Sequence, residues 1–214
     1  MCGCPGSGKG TFSQIAHEHG YSHIGAGDLL RKEIQLQTAL GQAIEEEVRQ
    51  GKYINPDLMF ELIKVNVQRS LEKSNKLIID GYIRSEDSAN RIFSYLNELG
   101  YEKNIVVVWL DSPNEICQER MNGRMTCENC DYVTNLNMFD AQQKCPSCDL
   151  GDLKKRMNDT EEVIIKRISQ YREIIEPTYS KCFSNKFLKK IDTNKPLGEL
   201  ESEYQYFFKI LQDL

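Results

Sequence analysis

The first eleven residues hold the strongest chemical signal in the sequence, a glycine-rich loop followed by a lysine. Three glycines and a proline fall within residues 3–8, which disfavours a helix or strand but suits a tight loop with bare backbone amides. Gly3, Gly8 and Lys9 match the spacing G-x-x-x-x-G-K, and residues 11–18 are predicted to form a helix. A loop at a helix N-terminus binds anions, so we expect it to hold nucleotide phosphates, with Lys9 reaching the outer ones. The alternative is an ordinary glycine-rich turn.

Four of the eight cysteines form a second chemical pattern, two C-x-x-C pairs separated by fourteen residues. Each pair presents two thiolates to one ion, and four sulfurs complete a closed tetrahedral zinc site. A closed site leaves no position for water, which indicates a structural ion, and the segment has too few apolar residues for a core of its own. Disulfides or chance spacing are the alternatives. The expected Zn2+ ligands are Cys127, Cys130, Cys145 and Cys148.

A carboxylate follows a short apolar run at residues 77–79 and precedes Gly81. Such a run is typical of a buried parallel strand, whose carboxyl end faces the ligand in an α/β sheet. Asp80 is therefore expected to hold Mg2+ through water beside the phosphate loop. The alternative is a simple turn, because Asp-Gly is a common turn sequence.

The elements that must position these residues are short apolar runs and amphipathic helices. Residues 105–111 are the strongest predicted strand, and residues 187–191 form the last one. Asn55 caps a predicted helix whose buried face includes Leu58 and Val67. Asp28 and Asp159 are predicted to cap two further helices.

Several segments together resemble the nucleoside monophosphate kinases, the adenylate kinase family above all. The resemblance implies a P-loop three-layer α/β/α fold with a parallel sheet, whose first strand is expected to be truncated because only Met1 and Cys2 precede Gly3. The segments that carry it are G-C-P-G-S-G-K-G-T (3–11), G-D-L-L-R (27–31), D-G-Y-I-R (80–84), R-M-N-G-R (120–124), R-M-N-D-T-E-E (156–162) and D-T-N-K-P (192–196).

The same resemblance implies three regions. Residues 1–24, 56–123 and 160–214 would form the P-loop core. Residues 25–55 would form the flap that binds the nucleoside monophosphate, and residues 124–159 would form a zinc-bound lid.

The resemblance also implies roles for individual residues. ATP would be bound by Gly6, Ser7, Gly8, Lys9, Gly10, Thr11, Arg120, Arg124 and Lys195. AMP would be bound by Ala26, Arg31, Ile54, Gly81, Arg84, Arg156 and Arg167. The catalytic residues would be Lys9, Arg84, Arg124, Arg156 and Arg167. From the residues alone, Arg31 and Arg167 would be ordinary helix charges.

Some positions depart from the adenylate kinase pattern and leave the acceptor base open. Tyr82 and Ile83 replace the family's phenylalanine and proline, and Ser88 stands where adenylate kinases place a glutamine that reads adenine. Ala26 replaces a threonine, as is frequent in pyrimidine monophosphate kinases.

Composition restricts the class of protein. The chain has 214 residues, a formal charge of −5 and 40% hydrophobic residues, which suits one ordinary globular domain and argues against a broad nucleic-acid footprint. It contains no run of eighteen apolar residues and no signal-peptide pattern, so we expect a cytoplasmic protein without a membrane partner. We also expect a monomer. Acidic residues also outnumber lysines between the cysteine pairs and around them, which argues against nucleic-acid binding by this segment.

The sequence therefore predicts a Mg2+-dependent phosphotransferase that moves the terminal phosphoryl group of ATP to AMP reversibly, giving two ADP. One alternative is a kinase acting on CMP or UMP. A second is a catalytically impaired nucleotide-binding homologue. A third is a zinc-ribbon nucleic-acid module joined to an ATPase.

Overall fold

The computed structural model describes residues 1–50, 52–130, 132–136, 144–183 and 188–212. In chain order the strands are β1 (Cys2–Gly3), β2 (Ser22–Gly25), β3 (Leu77–Asp80), β4 (Val107–Asp111), β5 (Arg124–Cys127), β6 (Val133–Asn135), β7 (Leu153–Lys154) and β8 (Leu188–Asp192). The predicted last strand is confirmed from Leu188, while Phe187 lies outside the described residues.

The strands alternate with helices along most of the chain. The α-helices are α1 (Lys9–Glu18), α2 (Ala26–Gln35), α3 (Ala39–Arg49), α4 (Pro56–Leu71), α5 (Glu86–Glu98), α6 (Asn114–Asn122), α7 (Glu161–Gln170), α8 (Glu176–Cys182) and α9 (Leu197–Gln212). A 3-10 turn spans Glu102–Asn104, and a π-helical turn, Tyr171–Ile175, joins α7 to α8.

Five of these strands pair in parallel, as predicted. They form two ladders with the orders β1-β4-β8 and β2-β3, and the Met1 amino group donates to the Ile79 carbonyl oxygen at 2.8 Å between them. In the register of β2 and β3, Gly25 lies opposite Asp80, and in that of β4 and β8, Asp111 lies opposite Asp192. The carboxyl ends of paired parallel strands therefore meet at one edge, where ligands bind in α/β sheets.

Helices cover both faces of β4 and make the predicted three layers. Val107 and Trp109 pack with α6 and α7, whereas Val108 and Leu110 pack with α1 and α9. All four side chains are buried, so the alternating residues of one strand serve two cores. A third buried cluster joins α4 and α5 to β2.

The helix caps differ in part from the predictions. Asn55 caps α4 as expected, since its Oδ1 accepts from the Asp57 amide at 2.8 Å. Asp28 and Asp159 are not caps, because α2 begins after Gly25 and α7 begins after Thr160. Both carboxylates pair with arginines instead. The predicted buried face of α4 is right at Val67 and wrong at Leu58, which is 49% exposed.

A separate antiparallel sheet lies between α6 and α7. Its strand order is β6-β5-β7, and Cys127 at the end of β5 lies opposite Leu153 of β7. Among the described residues, no helix is both long and apolar enough to cross a membrane.

Candidate active site

The glycine-rich loop joins β1 to α1 and has the tight geometry that its glycines predict. Gly6 and Gly8 have φ values of 89° and 91°, a region that favours glycine. A Cβ on Gly6 would lie 2.3 Å from the Cys117 carbonyl oxygen, so α6 packs directly against the loop. The loop leads into the first turn of α1, which contains Gly10 and Thr11. The first amides of a helix lack intrahelical partners, which makes this turn an anion-binding element.

Lys9 folds back across the loop. Its Nζ donates to the carbonyl oxygens of Gly3 at 2.8 Å and of Cys4 at 2.9 Å. Burial lowers the pKa of Lys9, and the nearby Asp80 carboxylate acts in the opposite direction. A desolvated ammonium on neutral carbonyls gains a stronger partner when an anionic phosphate arrives, since charge-assisted hydrogen bonds are about twice as strong as neutral ones.

Two buried oxygen atoms near the loop have no hydrogen-bond partner among the described residues, Ser7 Oγ and Asp80 Oδ1. Ser7 is fully buried inside the loop. Asp80 ends β3, the place that the sequence predicts for a carboxylate at the ligand edge. A buried carboxylate oxygen without a partner is costly, and carboxylates are ligands that Mg2+ prefers. Asp80 therefore has the chemistry and position of the predicted Mg2+ residue.

Asp159 is the buried counter-ion of two predicted phosphate-binding arginines. Arg124 Nε donates to Asp159 Oδ2 at 2.7 Å, and Arg124 Nη2 donates to Oδ1 at 2.5 Å. Arg167 Nη1 lies 3.7 Å from the same Oδ1. The Asp159 side chain is 0% exposed, while those of Arg124 and Arg167 are 15% and 25% exposed, so water screens these pairs only weakly. This carboxylate holds the start of β5 close to α7.

Five arginines share one electrostatic field at this edge. Burial, followed by the charges of Arg31 and Arg124, lowers the pKa of Arg156. Burial is the main cause that lowers the pKa of Arg167. The positive charges of Arg124, Arg84 and Arg31 lower it further, and the negative charge of Asp159 raises it. Like charges shift a pKa in this direction when they lie close together and are incompletely neutralised. The positive charge of these five arginines therefore favours the binding of a polyanion.

The two arginines predicted to bind the acceptor differ in their contacts. Arg31 forms an ion pair with Asp28 within α2. Arg84 Nε donates to the Gly81 carbonyl oxygen at 3.0 Å, and its guanidinium lies 4.8 Å from the centroid of the Tyr53 ring. Tyr53 is not predicted from the sequence, where its only signal is an aromatic residue next to the predicted site residue Ile54.

Arg120 and Lys195 line one cleft of about 330 Å³. Arg120 Nη2 donates to the Thr193 carbonyl oxygen at 2.9 Å, which ties α6 to the loop after β8. Lys195 Nζ forms an ion pair with Glu203 of α9 at 2.8 Å. The cleft also has apolar walls at Ile116 and Pro196. Charged and apolar groups thus meet in one cleft, the combination that is typical of small-molecule sites.

Among the remaining predicted acceptor residues, Ala26 and Gly81 each directly follow a strand of the parallel sheet. Ala26 is buried at the first position of α2, directly after β2. Ile54 lies in the segment between α3 and α4, and Gly81 follows β3 with φ 69°. Ser88, by contrast, belongs to a capping box with Ser85 at the start of α5.

The four cysteines of the two pairs converge on one point. Their sulfur atoms all lie within 4.8 Å of one another, with Cys127 and Cys148 at 3.7 Å and Cys130 and Cys145 at 3.6 Å. Zinc–sulfur bonds of ~2.3 Å in a tetrahedron require sulfur separations of ~3.8 Å, so the donors fit Zn2+. Backbone amides lower the pKa of Cys148 to about 6, which favours the thiolate.

Gly151 closes this cysteine cluster from one side. A Cβ on Gly151 would lie 2.3 Å from Cys127 Sγ, so a side chain there would displace the sulfur. The Asn129 amide also donates to Cys127 Sγ at 3.3 Å. The cluster therefore has backbone donors around its sulfurs, as outer-shell groups around metal ligands do.

Comparison with known proteins shows which family this chain is similar to. A family model described as adenylate kinase matches residues 1–186. The chain is 29% identical over 211 residues to the adenylate kinase of Pelagibacter ubique, covering 98% of each chain. It is 31% identical over 207 residues to that of Borreliella burgdorferi, covering 94% of this chain and 93% of the relative. It is 32% identical over 205 residues to that of Agathobacter rectalis, covering 94% of both.

Proposed function

Because the chain belongs to the adenylate kinase family, we propose that it transfers the terminal phosphoryl group of ATP to AMP, reversibly and with Mg2+, to give two ADP. The observation that carries this proposal is the group of five arginines, two of them paired with Asp159, beside a glycine-rich loop whose partly buried Lys9 lies within 2.9 Å of two loop carbonyls. Phosphoryl transfer needs positioning and charge neutralisation more than covalent chemistry by the protein. These groups provide both.

On the donor side, the loop residues would bind the ATP phosphates. Amides of the loop and of the first turn of α1 would surround the phosphate oxygens, and Lys9 would exchange its two carbonyl partners for the outer phosphates. Arg120 and Lys195 would bind the nucleoside in their cleft. Asp80 would hold Mg2+, through water, and the ion would neutralise charge on the phosphates.

On the acceptor side, Arg31 and Arg84 would hold the AMP phosphate. Arginine suits this task because its planar fork binds phosphate oxygens bidentately. The nucleoside of AMP would lie against Ala26, Ile54 and Gly81. The phosphoryl group in transit would be stabilised by three of the five arginines described above: Arg124, Arg156 and Arg167.

Closure would protect the reaction from water. We propose that residues 25–55 act as a flap over AMP and residues 124–159 as a lid over ATP, both moving against a core of residues 1–24, 56–123 and 160–214. A closed site excludes water, which would otherwise accept the phosphoryl group. The family resemblance further supports a cytoplasmic monomer that acts on ATP and AMP and requires neither nucleic acid nor membrane.

Initial rates with ATP and a series of acceptors test the activity. We expect AMP to be phosphorylated faster than CMP, UMP or dAMP. Faster turnover of CMP or UMP would assign the enzyme to the pyrimidine kinases. ATP binding without phosphorylation of any acceptor would identify an impaired homologue, and tight, salt-sensitive binding of RNA or DNA on filters would support the nucleic-acid module.

We further propose that the four-cysteine cluster holds a structural Zn2+. Replacement of Cys145, which is fully buried, by serine is expected to reduce bound zinc from about one ion per chain to less than about a tenth, because a hydroxyl is a poor zinc ligand. Elemental analysis of the purified protein measures this. The Cys182→Ser variant, outside the cluster, is the control and should keep its zinc. Equal zinc in both variants would contradict the proposal.

Tyr53 is expected to position Arg84 for the acceptor phosphate. Loss of the ring in Tyr53→Leu should raise the KM for AMP about two- to fivefold, the range expected for a cation–π contact near the surface, and leave the KM for ATP unchanged. Tyr53→Phe keeps the ring and should retain the wild-type KM for AMP. Tyr206→Leu, at another exposed tyrosine, is the control. Equal changes in both KM values would argue against this role.

A further inference from the structure

Two buried hydroxyl groups, on Ser112 and Thr193, lie next to the Arg120 guanidinium. Ser112 lies between β4 and α6 and is 1% exposed, and Thr193 directly follows β8 and is 0% exposed. Their side-chain oxygens are hydrogen-bonded to each other although the residues are 81 positions apart. Because β4 and β8 pair in parallel, this contact joins two strand ends at the edge where ligands bind in α/β sheets.

The partners of the two hydroxyls determine which group donates at each contact. Thr193 Oγ1 donates to the Asp111 carbonyl oxygen at 2.8 Å, and a hydroxyl has only one hydrogen to donate. The hydrogen between the two hydroxyls therefore belongs to Ser112. Ser112 Oγ in turn accepts from Arg120 Nη1 at 3.5 Å. The hydrogen bonds thus run in one direction from Arg120 to Asp111, an arrangement in which successive bonds strengthen one another.

The backbone of Thr193 holds the other terminal nitrogen of the same guanidinium. Arg120 Nη2 donates to the Thr193 carbonyl oxygen at 2.9 Å. The Thr193 amide also donates to the Asp111 carbonyl oxygen at 2.7 Å, which fixes this segment against β4. A long side chain that is already fixed loses less conformational entropy when a ligand binds to it. Arg120 is therefore preorganised at the wall of its cleft.

We propose that Ser112 and Thr193 are positioning residues for ATP, whose hydroxyl groups hold the Arg120 guanidinium in the orientation that contacts the nucleoside. This inference rests on the proposed function, which assigns Arg120 to ATP. Neither hydroxyl has to touch the nucleotide, because both act through Arg120, which lines the cleft. Packing alone would not require two buried hydroxyls, since alanine and valine would fill a similar volume without polar groups to satisfy.

Two variants test the proposal by removing one hydroxyl each. In Ser112→Ala and in Thr193→Val, we expect the Kd for ATP, measured by titration calorimetry, to rise about fivefold, as for the loss of one hydrogen bond. The Kd for inorganic tripolyphosphate should stay unchanged, because Arg120 is assigned to the nucleoside half of ATP. Thr193→Ser keeps the hydroxyl and should retain the wild-type Kd for ATP. If one of the first two variants does not fold, the other gives the same comparison.

Thr178→Val is the matched control. Thr178 on α8 is 8% exposed, and its Oγ1 donates to the Ile174 carbonyl oxygen at 2.9 Å, one turn earlier in the chain. This variant also loses a buried hydroxyl, but its Kd for ATP should stay unchanged. A double-mutant cycle with Arg120→Met separates positioning from a general structural effect. Once Arg120 is absent, Ser112→Ala should not raise the Kd for ATP any further.

Three results would overturn the inference. They are an unchanged Kd for ATP in both Ser112→Ala and Thr193→Val, equal weakening of ATP and tripolyphosphate, and the same effect of Ser112→Ala with and without Arg120. A wild type that binds ATP but phosphorylates no acceptor would overturn the proposed function alone, because the binding comparison would still test the positioning role. A wild type that binds no ATP would overturn both.

Discussion

Replacement of Lys9 by methionine is expected to lower kcat about 10²- to 10³-fold, the usual effect of removing one preorganised electrostatic group from an active site. Methionine keeps the length and apolar stem of lysine but cannot donate to phosphate. In the structure, Lys9 Nζ is held within 2.9 Å of two loop carbonyls and is positioned beside Asp80. Loss of the charge would therefore raise the free energy of the transition state more than that of the bound ground state.

Steady-state kinetics with saturating ATP and AMP measure this effect. The Lys166→Met variant is the control, because Lys166 is exposed on α7 next to Arg167 in sequence. It should retain close to wild-type kcat. If Lys9→Met retained wild-type turnover, the glycine-rich loop would not be the donor site, and the proposed mechanism would fail.

Replacement of Asp159 by asparagine is expected to reduce the free energy of unfolding by about 3 kcal/mol, at the lower end of the range for breaking a buried ion pair. Asparagine keeps the shape of the side chain but removes its charge. Arg124 and Arg167 would then face each other and Arg156 without this counter-ion. For a chain of this length, the loss corresponds to a fall in Tm of roughly 6–12 °C.

Denaturant or thermal unfolding of the nucleotide-free protein measures this loss. Asp57→Asn is the matched control: Asp57 pairs with Arg91 at 2.5 Å, but its side chain is 77% exposed, so its removal should change stability by less than ~1 kcal/mol. A double-mutant cycle with Arg124→Met isolates the pair, since Asp159→Asn should be less harmful once Arg124 is absent. Equal losses for Asp159→Asn in both backgrounds would contradict the assigned pairing.

Local sequence predicted the elements whose signals come from neighbouring residues. The glycine spacing before Lys9 predicted the loop, and Asn55 with Pro56 predicted the start of α4. The apolar run at residues 105–111 predicted β4, which begins at Val107. These signals are local because backbone conformation and strand burial depend on residue types a few positions apart.

Predictions failed where distant residues compete for the same group. Asp159 has the sequence context of a helix cap, yet Arg124, 35 positions away, takes both of its oxygens. Asp28 failed for a local reason: α2 begins at Ala26, so Asp28 lies inside its first turn and pairs with Arg31 three residues later. A charged partner offers a carboxylate a stronger interaction than a backbone amide does, and only folding determines which partner is near.

By itself, the sequence determined the chemical inventory of this protein: a phosphate-type loop with Lys9, a carboxylate at a strand end, two cysteine pairs and a set of arginines. Only the tertiary structure decided how those groups are neutralised and oriented. It placed Asp159 between two arginines and Tyr53 on Arg84. The physical reason is that electrostatic and packing energies depend on distances between residues far apart in the chain, and residue spacing along the sequence does not contain those distances.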